Sequence, residues 1–173
     1  MTTAEQNTCF SRWIAEHAAV LHHVANGFAE GADRHDLMQE LLLAVWRAVP
    51  AFRKSARPST FIYRVAHNAA LTWKRTERNY RTRVDRYGAE PPPENFGPAI
   101  DASRESETLA LVYAGIRKFP PVDRSLILLH LDGVSYADMA EIHGLTESNV
   151  GVRLNRLKQK LTSALENLTH ELR

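Results

Sequence analysis

Apolar residues recur at three- and four-residue spacings along most of this chain, and no stretch alternates apolar with polar positions between hairpin turns. That periodicity predicts helices and no sheet, an all-α fold. A first helix is expected from about Cys9 to Gly27, with Phe10, Trp13, Ile14, Ala18, Leu21 and Ala25 turned inward. The segment GADRHD interrupts and restarts the chain, with Asp33 as the expected cap and Asp36 three residues later. Leu37, Met38, Leu41, Leu42, Val45 and Val49 then form the apolar stripe of a second helix that ends by Pro50. A short basic loop, FRKSARPS, leads to a third helix, with Ser59 or Thr60 as its expected cap. Phe61, Ile62, Val65, Ala66, Ala69 and Trp73 fall on one side of it. Arg64, Asn68, Leu71 and Arg75, at spacings of four, three and four, line an exposed stripe on the other.

The pattern then changes. From Lys74 to Arg86 the sequence KRTERNYRTRVDR carries six basic and two acidic residues, so the end of the third helix and the residues after it are cationic. Such a run is either a solvated face or a track for a nucleic-acid backbone, and Tyr80 within it could stack on an exposed base. Four prolines and two glycines between Tyr87 and Pro98 cannot continue a helix and read as a flexible linker. Beyond it, a helix is expected from about Arg104 to Lys118 and another from Pro121. The expected organisation is two small helical domains, residues 1–84 and 104–173, joined by a linker over 85–103.

The last stretch is the most specific. Ser135 to Leu161 reads as two helices joined by a tight turn, the layout of a helix-turn-helix. Ser135 can cap the first helix with Asp138 three residues on, and Thr146 can cap the second with Asn149 at the same offset. Gly144 between them supplies the permissive backbone of a tight connection. Tyr136, Met139, Ala140 and Ile142 give one apolar stripe, and Val150, Leu154, Leu157 and Leu161 the other. When these pack together, Asn149, Arg153, Asn155, Arg156, Lys158 and Lys160 are left outside, residue types that contact phosphates and base edges. The plainer alternative is a helical hairpin with a solvated basic face.

Composition adds exclusions rather than an activity. Among 173 residues, 22 basic and 20 acidic side chains give a net charge of +2, so distribution matters more than the sum. No apolar run approaches the roughly 20 residues of a membrane span and the N-terminus has no signal-peptide pattern, so no membrane insertion and a cytoplasmic location are expected. The single cysteine, Cys9, can form neither an internal disulfide nor a cysteine-based metal site. His17 stands five and six residues from His22 and His23, off the spacing of a helical ligand pair; with His35 these read as ordinary histidines, and no metal is expected. Without a Gly-rich phosphate loop or a catalytic constellation, neither an enzyme nor a cofactor is expected.

Three segments, in this order, resemble a known family over nearly the whole chain. DLMQELLLAVW, from Asp36 to Trp46, and STFIYRVAHNAALTWKR, from Ser59 to Arg75, resemble region 2 of sigma-70 RNA polymerase factors, with Phe61 where a tryptophan is usual. FPPVDRSLILLHLDGVSYADMAEIHGLTESNV resembles region 4. The short linker matches the extracytoplasmic-function group, the minimal members of the family. The resemblance implies a sigma factor that binds core RNA polymerase, directs it to promoter DNA and assists strand opening. It implies docking on the beta-prime clamp helices through Asp36, Gln39, Glu40 and Arg47, and a contact with the beta flap. It implies minus-10 DNA binding by Arg53, Lys54, Ser55, Ser59, Arg64, Asn68, Leu71 and Arg75. Minus-35 binding would fall to Ser148, Asn149, Gly151, Val152, Arg153, Asn155, Arg156 and Lys158. An anti-sigma factor is the expected inhibitory partner.

Three positions depart from the family pattern. Gly151 stands where many relatives carry a basic residue, Val152 where a small polar one is common, and His143 near the turn where the position is often apolar. A helical glycine costs about 1 kcal/mol relative to alanine and offers DNA no side chain. Either the backbone approaches DNA closely at Gly151 or minus-35 reading is weak, which leaves open a sigma-like adaptor. A stand-alone helix-turn-helix regulator that binds duplex DNA without polymerase is the other alternative.

Overall fold

The computed structural model describes residues 1–53, 57–87 and 104–171; side chains within 78–87, 104–107 and 167–171 are not described. Two compact units emerge, Met1–Pro98 and Ala99–Arg173. Among the described residues there are seven α-helices, one short 3-10 turn and no strand.

The first unit is built from α1 (Thr3–Phe28), α2 (Gly31–Ala48), the 3-10 turn Val49–Ala51 and α3 (Pro58–Tyr87). α1 starts well before the expected Cys9 because Thr2 and Glu5 form a capping box: Glu5 N–H donates to Thr2 Oγ1 at 3.3 Å and Thr2 N–H donates to Glu5 Oε2 at 2.7 Å. The Thr2 backbone N–H is the main influence holding the Glu5 carboxyl below its usual pKa, followed by the Thr2 side chain. The added turn reaches α2, where Trp46 Nε1 donates to Asn7 Oδ1 and Gln6 Nε2 donates to the Trp46 carbonyl, each at 2.8 Å. α2 begins at Gly31, whose φ of +56° is the left-handed conformation glycine tolerates, so Asp33 lies in the first turn and does not cap. Likewise Pro58 opens α3, and Ser59 and Thr60 fall inside its first turn instead of preceding it.

The three helices pack on Trp13, Leu21, Val24, Phe28, Leu37, Leu41, Val45, Ile62, Ala66 and Ala70, all essentially buried. The apolar stripe of α3 is narrower than expected: Ile62, Ala66 and Ala70 go fully inside, while Val65, Ala69 and Trp73 stay half-buried. His67 completes the buried line, with the Phe28 and Tyr63 rings at 6.4 and 6.3 Å. α3 runs on to Tyr87, into the segment read as linker; residues 88–103 lie outside the described residues.

The second unit comprises α4 (Arg104–Arg117), α5 (Pro121–Leu131), α6 (Tyr136–His143) and α7 (Glu147–Glu171). Ser125, Leu126, Ile127, Leu128, Leu129, Met139, Val150 and Leu154 are buried at its centre. Pro121 occupies the first turn of α5, and the Arg124 Nε donates back to the Phe119 carbonyl at 2.6 Å, clasping the α4–α5 turn. Gly115 lets α4 lie close on α7: a Cβ there would come 3.0 Å from Leu161 Cδ1.

Candidate nucleic-acid interface

In the second unit the helix-turn-helix is closed by three local devices. Ser135 Oγ accepts from Asp138 N–H at 3.1 Å and donates to the Asp138 carboxylate at 2.6 Å, starting α6. Gly144, at φ +64°, ends α6 in the left-handed conformation, with the Leu145 N–H donating to the Ala140 carbonyl at 2.9 Å. Thr146 Oγ1 accepts from Asn149 N–H at 3.2 Å, starting α7. The expected caps and turn are present.

Val150, Leu154 and Leu157 point into the core, so helical geometry turns Ser148, Val152, Asn155 and Arg156 to the opposite side, where all four are exposed. Asn149 and Lys158 are exposed on the flanks of that face. Gln159, seven residues beyond Val152, lies on the same face and is also exposed. Sequence reasoning passed over it, although its spacing of four from Asn155 was readable.

Two expected DNA contacts are occupied within the unit. Arg153 Nη2 pairs with Asp123 Oδ1 at 2.6 Å, tying α7 to α5. Gly151 lies under the Tyr136 ring, where a Cβ would stand 3.5 Å from Tyr136 Cε2. Alanine would make ordinary contact there. The Tyr136 ring leaves room for a methyl group at position 151, so packing does not by itself demand glycine, and Tyr136, 38% exposed, is not turned inward as expected.

His143 fits by a polar contact where an apolar side chain was expected. Its Nε2 lies 2.8 Å from Oγ of the fully buried Ser125 on α5. Burial holds the imidazole below the ordinary histidine pKa, and the Arg153 charge pushes it the same way.

In the first unit, α2 and α3 flank a groove of about 770 Å³. Asp36, Gln39, Glu40, Ala44 and Arg47 line it from α2; Val65, Asn68, Ala69, Thr72, Trp73 and Thr76 line it from α3. All four residues expected to dock polymerase thus share one surface with Asn68, while Arg64, Leu71 and Arg75 follow the α3 stripe outside the groove; that stripe is less open than expected, with Asn68 and Arg75 exposed but Arg64 and Leu71 half-buried. Thr72 and Thr76, missed in the sequence, continue from Asn68 at intervals of four.

The basic loop is anchored at its base by rings. Phe52 meets Trp13 edge-on at 5.2 Å and Phe61 at 5.2 Å, and Trp13 meets Phe61 at 5.8 Å. Arg53 is exposed at the start of the loop and Ser59 half-buried after it; Lys54 and Ser55 lie outside the described residues. Part of the cationic run is neutralised locally, since Lys74 Nζ pairs with Glu77 Oε2 at 2.6 Å and sits 5.8 Å from the Trp73 ring centre. The Tyr80 side chain is outside the described residues. No group of three or more histidine, cysteine and acidic side chains suited to a metal occurs among the described residues. No described helix is long and apolar enough to cross a membrane.

These two surfaces correspond to two family domains. Residues 13–80 match the Sigma-70 region 2 family model and residues 109–161 match that of Sigma-70, region 4. The chain belongs to the sigma-70 family, in its extracytoplasmic-function (ECF) group, and is a sigma factor. It is 26% identical over 158 residues to the ECF RNA polymerase sigma factor SigM of Mycobacterium tuberculosis, covering 90% of this chain and 76% of that protein. It is 26% identical over 171 residues to the ECF RNA polymerase sigma-E factor of Escherichia coli, covering 92% and 87% respectively. Among solved structures, the sigma factor RpoE from Bartonella quintana, in complex with the anti-sigma factor NepR, has the same fold. The match has a TM-score of 0.67 at 20% identity, over 91% of this chain and 96% of that one. CnrH, in complex with the cytosolic domain of CnrY, matches with a TM-score of 0.60 at 21% identity, over 95% of each chain.

Proposed function

We propose that this sigma factor works in the cytoplasm by binding alone, with polymerase supplying the chemistry, and that its two units divide the promoter between them. Asp36, Gln39, Glu40 and Arg47 dock the beta-prime clamp helices of core RNA polymerase. Arg53, Lys54, Ser55 and Ser59, with the α3 stripe of Arg64, Asn68, Leu71 and Arg75, hold the opened minus-10 strand. Ser148, Asn149, Val152, Asn155, Arg156 and Lys158 read the minus-35 element, and the beta flap holds the second unit on polymerase. The proposed domain limits are residues 1–84 and 104–173 with a linker at 85–103, whose first residues close the end of α3.

The observation that carries this reading is the α2–α3 groove, in which the four docking side chains and Asn68 line one open surface. A protein seated on α2 there lies beside the edge that would receive the DNA strand. An amide such as Asn68 offers both a donor and an acceptor to a base edge. An anti-sigma factor is the proposed inhibitory partner, supported by the likeness to a sigma factor solved in complex with one. Covering the groove would block docking and strand capture together.

The test combines purified protein, sigma-free core polymerase and a library of promoter fragments, with complex formation and abortive transcripts as readouts. Transcripts requiring both protein and core, from fragments sharing two spaced elements, are expected. Duplex binding by the protein alone, with no core association, would overturn the polymerase roles of Asp36, Gln39, Glu40 and Arg47.

A further inference from the structure

Among the described residues, the outward face of α7 carries one large apolar side chain among polar ones. Val152 is 51% exposed, with Ser148 one turn before it, Arg156 one turn after and Asn155 beside it, all exposed. Neither of the usual reasons for a helical valine applies. Val152 lies opposite the core line of Val150, Leu154 and Leu157 and is half exposed, so the core does not require it. A β-branched residue is also a weaker helix former than the alanine, lysine or glutamine that solvent-facing positions favour.

The edges of base pairs in the major groove present hydrogen-bonding groups and one apolar group, the C5 methyl of thymine. We infer that Val152 is a specificity-determining residue that reads a thymine methyl in the minus-35 element. This rests on the proposed reading that the exposed face of α7 enters that element. The position suits the task, because Val152 sits less than two turns into α7, near the end that reaches base edges in helix-turn-helix proteins. Hydrogen-bonding neighbours on the same face can orient the helix while the valine supplies shape. Removing a methyl group from such a contact is expected to weaken binding about fourfold, the worth of one buried methyl-sized group.

The test uses the full chain assembled with core polymerase on a promoter recovered by selection. Each thymine of the upstream element, on either strand, is replaced singly by 2′-deoxyuridine, which deletes only the methyl. Wild-type holoenzyme is expected to lose about fourfold in affinity at one thymine. Val152→Ala should bind the thymine and deoxyuridine forms of that site equally, and Val152→Ile should still discriminate. Because the side chain is outside the core, retained core binding by both variants will check that folding is not the cause. Indifference of the wild type to every methyl, or discrimination that survives in Val152→Ala, would overturn the inference. In that event, base-pair substitutions in the element would still weaken binding. If instead no upstream element is enriched, or its base-pair substitutions cost nothing, the minus-35 reading itself falls and the inference with it.

Discussion

Arg153 and Arg156 look interchangeable in the sequence, and replacing each by alanine should separate two jobs. Arg156 is exposed on the outward face of α7, whereas the Arg153 guanidinium lies 2.6 Å from the Asp123 carboxylate. The Arg153 and Asp123 side chains are 41% and 18% exposed, so water screens the pair and its contribution is limited to about 0.5–1 kcal/mol. On a unit of this size that amounts to a few degrees in Tm. A phosphate contact behaves differently, because each one lost flattens the plot of log affinity against log salt by about 0.9. Between about 50 and 200 mM salt, a slope change of that size alters relative affinity by about 3.5-fold. Holoenzyme binding to one promoter, titrated across that range, should therefore show a flatter slope for Arg156→Ala. Arg153→Ala should keep the wild-type slope and lower thermal stability instead. A cycle with Asp123→Ala and the double variant should return the same 0.5–1 kcal/mol, roughly, as coupling. Flattening by Arg153→Ala equal to that of Arg156→Ala, without coupling to Asp123, would refute the assignment of Arg153 to the α5–α7 tie.

Because burial lowers the His143 pKa from 6.5, the unfolded chain binds the proton more readily than the folded one. Its stabilising contribution is thus complete above pH 6.5 and lost as pH falls from there to the folded value; Tm measured from pH 7.5 to 5, roughly, should fall less steeply in His143→Gln than in wild type. Gly115→Val forces bulk against Leu161 and Leu165, so denaturant titration should show a loss of about 1–3 kcal/mol. Trp13→Ala removes a 1% exposed ring that holds Phe52 and Phe61, and should cost about 3–5 kcal/mol in the same measurement. Asn68→Ala should weaken recognition of one minus-10 base by about 1–3 kcal/mol; equal loss on every promoter variant would make it a positioning residue.

How much of this was legible in the sequence depended on whether the signal was local. The caps Ser135 and Thr146, the left-handed Gly144 and the stripe Val150, Leu154, Leu157 are set within a few residues, and the structure contains them as read. The start of α1 was also local, but the Thr2–Glu5 box lay outside the apolar pattern that had set the boundary. Long-range contacts were a different matter. Nothing around Arg153 indicates that its carboxylate partner is Asp123, 30 residues earlier, and nothing around His143 indicates Ser125. The sequence therefore overcounted free cations on α7 and left the histidine without a role. On α3, periodicity grouped Val65, Ala69 and Trp73 with the core, but only the position of α2 decides which apolar residues are closed over and which line an open groove.

That last distinction bears on function. If Val65, Ala69 and Trp73 were sealed in the core, α2 and α3 would present separate polar ridges, and a partner on one could leave the other free. Half-buried, they form an apolar floor between Asp36, Gln39, Glu40 and Arg47 on one wall and Asn68, Thr72 and Thr76 on the other. Any protein that fills this groove gains apolar burial from the floor and meets both walls. Under the proposed roles, polymerase docking and strand capture are then adjacent events on one surface. Trp73→Ala, which removes floor while sparing every proposed polar contact, should weaken core binding more than Arg75→Ala, which changes only the exposed stripe. Competition binding of the two variants against wild type for limiting core measures this directly, and equal affinity of both would mean that polymerase touches α2 without entering the groove.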